Sequence, residues 1–100
     1  LLTSMTDALE RDALRGAEAQ QLLDNRIYQD AMEQVRQGIL DAWAASPIRD
    51  KEGQGELRLM LKLLTDLHNN IRQAAHTGKL AQIEIERSKP KQALRSVGIY

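Results

Sequence analysis

The chain has 100 residues with no Cys and no Phe, one Trp and two Tyr, and it carries 14 basic against 14 acidic side chains. A length of this order sets a ceiling of one domain, and the missing Cys removes disulfides, thiolate catalysis and Cys-based zinc sites. No run approaches the ~20 apolar residues that span a bilayer, and Leu1-Leu2-Thr3-Ser4-Met5 is too short for a signal peptide, so no membrane role and cytoplasmic production are expected. A start at Leu without Met suggests a chain that is not the complete gene product.

The first segment, about residues 6–23, is rich in the helix formers Ala and Leu, with Ser4 and Asp7 placed to cap its start. Its apolar face is weak because Gly16 interrupts it and small Ala residues provide much of the stripe, so ordering against a partner is expected. Asp24-Asn25 is a natural break, with the Asn25 side chain able to accept a backbone N–H and open a second helix. In that helix Tyr28, Met32, Val35, Ile39 and Ala42 or Trp43 recur at helical spacing, and the helix should end by Ala45 because the residue before Pro47 avoids helical angles.

The third helix starts between Asp50 and Glu56, after a connection built around Ser46-Pro47 and Gly53-Gln54-Gly55. It is the most legible element of the chain. Leu57, Leu61, Leu64, Leu67, Ile71 and Ala74 or Ala75 alternate three- and four-residue steps, the period of one apolar stripe. Gly78 suits the left-handed position that ends a helix. Two helices of similar length with a short connection predict an antiparallel hairpin. A short helix over 79–87 is favoured over a strand, and Ser88-Lys89-Pro90 then breaks regular structure. The expected fold is therefore all-α: a helical domain over 1–86, comprising the hairpin and an additional N-terminal helix, followed by an extended basic C-terminal tail over 87–100.

Charge is unevenly spread. Residues 1–50 carry nine acids and five bases, the remainder five acids and nine bases, and after Glu86 only the bases Arg87, Lys89, Lys91 and Arg95 follow. This arm, ending in Val97, Ile99 and Tyr100, reads either as a solvated end or as a segment that docks on an acidic protein surface or on phosphate.

Residue chemistry points away from catalysis. His68 and His76 stand about 12 Å apart along one helix, too far to share a metal, and both read as structural: His68 beside the apolar stripe, His76 in the last helical turn near the negative end of the dipole. Carboxylate pairs such as Glu84 and Glu86 or Asp7 and Glu10 have nothing to desolvate them. No nucleophile elbow, phosphate-binding loop or His-Glu-x-x-His motif occurs, and no catalytic residue, cofactor or metal is expected. Trp43, near the end of the second helix, either closes the hairpin or anchors a partner, with core packing the better reading.

The runs Ala19-Gln20-Gln21-Leu22-Leu23-Asp24-Asn25, Ala42-Trp43-Ala44-Ala45-Ser46-Pro47-Ile48-Arg49-Asp50, Leu59-Met60-Leu61-Lys62-Leu63-Leu64 and Thr77-Gly78-Lys79-Leu80-Ala81 resemble those of short helical proteins encoded by tailed bacteriophages and prophages. The resemblance covers roughly 16–81 and implies a role in genome packaging or particle assembly, in the host cytoplasm or in the virion. Small terminase subunits are similar in building rings from helical hairpins, though they add an N-terminal DNA-binding domain not seen here. Head–tail connectors are similar in joining a small helical body to a terminal arm.

These readings combine into a non-catalytic assembly protein, a homo-oligomer or a partner of a larger phage structural protein. Leu57, Leu61, Leu64, Leu67, Ile71 and Trp43 are expected at its protein interface, with Arg87, Lys89, Lys91, Arg95 and Tyr100 docking on a neighbour. The alternative is a nucleic-acid-binding module that uses the basic second half and the tail for salt-sensitive phosphate contact. The predicted helices are too long for a helix-turn-helix reader of base sequence.

Overall fold

The computed structural model describes the backbone of residues 2–97 and the side chains of residues 5–88. The fold is all-α, with three helices, α1 (Leu2–Asp24), α2 (Arg26–Ala45) and α3 (Lys51–Val97), and no strand among the described residues. Packing divides the chain into two units: α1 to Gln21 with α3 from Arg72 onward, and Leu22–Ile71.

In the Leu22–Ile71 unit, Asn25 is the single non-helical residue between α1 and α2. Its backbone is extended (φ −71°, ψ 124°) and its side-chain oxygen accepts the Tyr28 N–H at 2.9 Å, the expected cap. The Gln29 side chain also donates to the Leu23 carbonyl at 2.8 Å, satisfying one of the acceptors that α1 leaves open at its end. At the other end of α2, the Ser46 N–H and hydroxyl both donate to the Trp43 carbonyl, at 3.2 and 2.7 Å. Pro47 then prevents continuation. Asp50 starts α3 by accepting the Gly53 N–H at 3.0 Å. So short a connection returns α3 antiparallel to α2, forming the expected hairpin.

The hairpin seam is built from Tyr28, Met32 and Ile39 on α2 and Leu57, Leu61, Leu64, His68 and Ile71 on α3, all half-buried except Ile39, which is 7 % exposed. On α3 these residues are separated by steps of four, three, four and three, the repeat of a paired-helix seam. That repeat places His68, not Leu67, on the seam; Leu67 is 54 % exposed. The polar ring is accommodated because the Tyr28 hydroxyl lies 2.9 Å from His68 Nδ1 and the two rings stack with centroids 6.0 Å apart. Ion pairs add little: Lys62–Asp66 at 2.9 Å and Arg36–Glu33 at 4.0 Å are both on exposed helix surface.

In the other unit, α1 runs antiparallel to the later part of α3, and small residues make the contact. Gly16, Ala75, Gly78 and Ala81 are buried, with Ala13 and Ala74 half-buried. Gly16 does not interrupt the face of α1; it is its closest point. A Cβ placed on Gly16 would overlap the Gly78 Cα and stand 3.0 Å from the Ala74 carbonyl oxygen. A Cβ on Gly78 would meet the Gly16 Cα and come within 2.9 Å of the Asp12 carbonyl oxygen. The helices touch backbone to backbone, where only glycine fits.

Gly78 is accordingly not a helix end. Among the described residues no glycine has positive φ, and α3 continues through 79–87 as one helix rather than stopping and restarting. It also passes the expected break at Ser88-Lys89-Pro90. Proline inside a helix removes one hydrogen bond without forbidding the helical path, and Ser88 Oγ donates to the Ile85 carbonyl at 2.7 Å just before it. The boundary expected at Arg87 therefore falls within α3, and the tail is helical rather than extended as far as Val97. His76 is in mid-helix and exposed, so the helix-end rationale for it no longer applies.

Candidate functional site

No three His, Asp or Glu side chains among the described residues are grouped to hold a metal ion, and no helix is long and apolar enough to cross a membrane. An open groove lies between α2 and α3 in the hairpin. Its floor is mostly apolar, with Met32 and Leu64 beside the Tyr28–His68 pair, and Gln29, Glu33 and Arg36 from α2 and Thr65 from α3 complete the lining. The Tyr28 hydroxyl and His68 Nδ1 are hydrogen-bonded to each other there.

The opposite side of the same hairpin is different. Met60, Leu63 and Leu67 on α3 are each more than half exposed, and each stands one residue before a seam residue, Leu61, Leu64 or His68. On α2 the exposed residues Ile27, Ala31 and Gly38 likewise stand one residue before Tyr28, Met32 and Ile39. One residue turns a helix by roughly 100°, so each row is rotated from the seam in the same sense about its own helix direction. Because α2 and α3 run in opposite directions, these equal rotations bring both rows to one side of the hairpin. The residues one position after the seam confirm the arithmetic, since Gln29, Glu33 and Thr65 line the common groove on the other side.

The hairpin thus has one side where polar residues border an apolar groove and one side with a row of exposed apolar residues. The apolar side combines large side chains on α3, with Leu59 flanking the row, and a row on α2 of Ala31, Val35, Gly38 and Ala42 at steps of four, three and four. Val35 is 50 % exposed, and the position of a Cβ on Gly38 is open space.

The expected interface residues divide accordingly. Leu57, Leu61, Leu64 and Ile71 are half-buried along the hairpin seam. Leu67 stays exposed on the open row. Trp43 is 44 % exposed in the last turn of α2 and does not close a core. Arg87 is exposed; the side chains of Lys89, Lys91 and Arg95, and all of Tyr100, lie outside the described residues. The second apolar row has a sequence signal of its own, since Leu59, Met60 and Leu63 are adjacent to the Leu57–Leu61–Leu64 stripe.

Comparison with protein-family models, curated proteins and solved structures finds no match to this chain. The class defined by the fold is an all-α protein with a two-sided helical hairpin.

Proposed function

We propose that this chain is a non-catalytic assembly protein of the phage type, with a connector-like or small-terminase-like role in the host cytoplasm during particle assembly. The observation that carries the assembly reading is the apolar side of the hairpin, where Met60, Leu63 and Leu67 stand open beside Ala31, Val35 and Gly38. Water-exposed apolar rows of this extent mark surfaces that other proteins cover. The phage attribution is supported by the sequence resemblance over roughly 16–81.

The test is a photo-crosslinking side chain placed at Leu63 or, on the polar side of α3, at Arg58, in the cell that makes the protein. Crosslinks to protein from position 63 and few from 58 are expected. Equal yields from both positions, or none from 63, overturn the assembly reading.

A further inference from the structure

We infer that an exposed row of α3, from Arg58 to Lys79, binds the phosphate backbone of duplex DNA. The row depends on α3 alone, which is one unbroken helix over these residues. It is separate from the apolar row, so the inference goes beyond the assembly reading.

In the Leu22–Ile71 unit the row comprises Arg58, Lys62, Thr65 and Asn69, each one residue after Leu57, Leu61, Leu64 or His68. The same helix continues it with Arg72, His76 and Lys79, each one residue after Ile71, Ala75 or Gly78. The steps are four, three, four, three, four and three, and every member is exposed. The row runs roughly 32 Å along the helix.

Charge sign separates this row from an ordinary solvated face. Such faces place acids three or four positions from bases, which stabilises the helix. Here no Asp or Glu stands in the row, and Arg58, Arg72 and Lys79 have no carboxylate three or four positions away on α3. None of these three makes an ion pair with a described residue. Arg58 and Lys62, four apart, instead repel each other. Lys62 is paired with Asp66 at 2.9 Å, in an exposed and therefore weak contact. Across the groove α2 adds Gln29 and Arg36, and the Glu33 there lies 4.0 Å from Arg36.

Hydrogen-bonding type identifies the partner. All the row side chains, Thr65, Asn69 and His76 included, can donate a hydrogen bond, and none is an acceptor-only carboxylate. Donors of these kinds are the ones that contact phosphate oxygens. The row has no large apolar side chain, which the centre of a protein interface would need. It has no Trp, Tyr or Phe on which single-stranded bases would stack. A duplex backbone requires neither, only cations and donors along a line. Sequence-independent binding of this kind has a Kd of about 10−4 to 10−6 M at physiological salt and exchanges quickly, so Arg58 is uncovered between encounters.

The experiment is fluorescence anisotropy of a labelled random-sequence duplex titrated with the purified full chain from low to physiological salt. Each cation in contact contributes about −0.9 to the slope of log K against log salt. Arg58→Gln with Lys79→Gln should therefore flatten the slope by about 2 and weaken low-salt binding about tenfold or more. Gln is close to Arg and Lys in helix propensity, so helicity by circular dichroism should persist. The charge-keeping pair Arg58→Lys with Lys79→Arg should bind as the wild type does. Arg87→Gln, Lys89→Gln, Lys91→Gln and Arg95→Gln together should leave the contribution of the row in place. No binding at low salt, binding unchanged by the neutral pair, tighter binding of the single strand than of the duplex, or binding abolished by the tail changes alone overturns the inference. If the neutral pair loses helicity, Asn69→Glu, which sets a carboxylate against the phosphates at mid-row, replaces it under the same criteria. Crosslinking from position 63 reads the opposite side of α3, so failure of this inference and failure of the assembly reading are separate results.

Discussion

Gly16 on α1 and Gly78 on α3 meet so closely that a Cβ on either would overlap the Cα of the other. Neither glycine is there for a turn. The pair sets the separation of the two helices and lets the Ala residues around it pack on both sides. Replacing glycine by alanine inside an ordinary helix stabilises it by about 0.5–1 kcal/mol. Here the overlap with backbone, which cannot rotate away, reverses the sign: Gly16→Ala and Gly78→Ala are each expected to destabilise by about 1–3 kcal/mol. Gly55→Ala, where a Cβ meets only open space, is the matched control and should be neutral or stabilising. Urea unfolding followed by circular dichroism at one fixed protein concentration distinguishes the signs.

The Tyr28–His68 pair gives a second prediction. Tyr28→Phe alone strands a half-buried ring nitrogen and should cost about 0.5–1.5 kcal/mol. The double replacement Tyr28→Phe with His68→Leu removes both polar partners and puts a Leu where the seam repeat calls for an apolar side chain. It should therefore cost less than the two single changes summed, as a double-mutant cycle in denaturant would show. Strict additivity would mean that the two side chains do not act as a pair.

Burial separates Ile39 from Leu63. Ile39 is 7 % exposed in the hairpin seam, and Ile39→Ala should lower folding stability by about 2 kcal/mol or more. Leu63 is 58 % exposed, and Leu63→Ala should change the stability of the isolated chain by less than about 0.5 kcal/mol while weakening association. Because association itself stabilises the folded state, the comparison is made at a concentration where both variants are monomeric.

Asn25 forms the whole link between α1 and α2. Asn25→Ala removes the acceptor of the Tyr28 N–H and should cost about 1 kcal/mol, measured as a fall in the urea midpoint. Asn25→Asp keeps an acceptor at the same place and should recover most of the loss.

The sequence made the hairpin legible because its signals are local and agree with one another. Asn25 can cap, Pro47 cannot continue a helix, and the Leu57–Leu61–Leu64 steps have one period. The parts that escaped depend on partners far along the chain. Gly78 reads equally well as a helix end or as a point of close approach, and only Gly16, in another helix, decides between them. Hydropathy prefers Leu67 to His68 for the stripe, but the seam repeat and the hydroxyl of Tyr28, forty positions away, favour His68. The open row is hard to separate from the first stripe in sequence because it adjoins it, and one adjacent residue is enough to change the side of a helix. Histidine, arginine and carboxylate chemistry contributed little to the candidate site, since the exposed row of Met60, Leu63 and Leu67 is apolar.

The Met60–Leu63–Leu67 side of the hairpin is proposed to be covered by another protein surface, and the absence of Cys from the chain allows a direct test: a single thiol introduced by Leu63→Cys or by Arg58→Cys is labelled with a maleimide in the cell that makes the protein. Slow labelling at 63 beside fast labelling at 58 is expected. Equal and fast labelling at both positions would contradict the assembly reading.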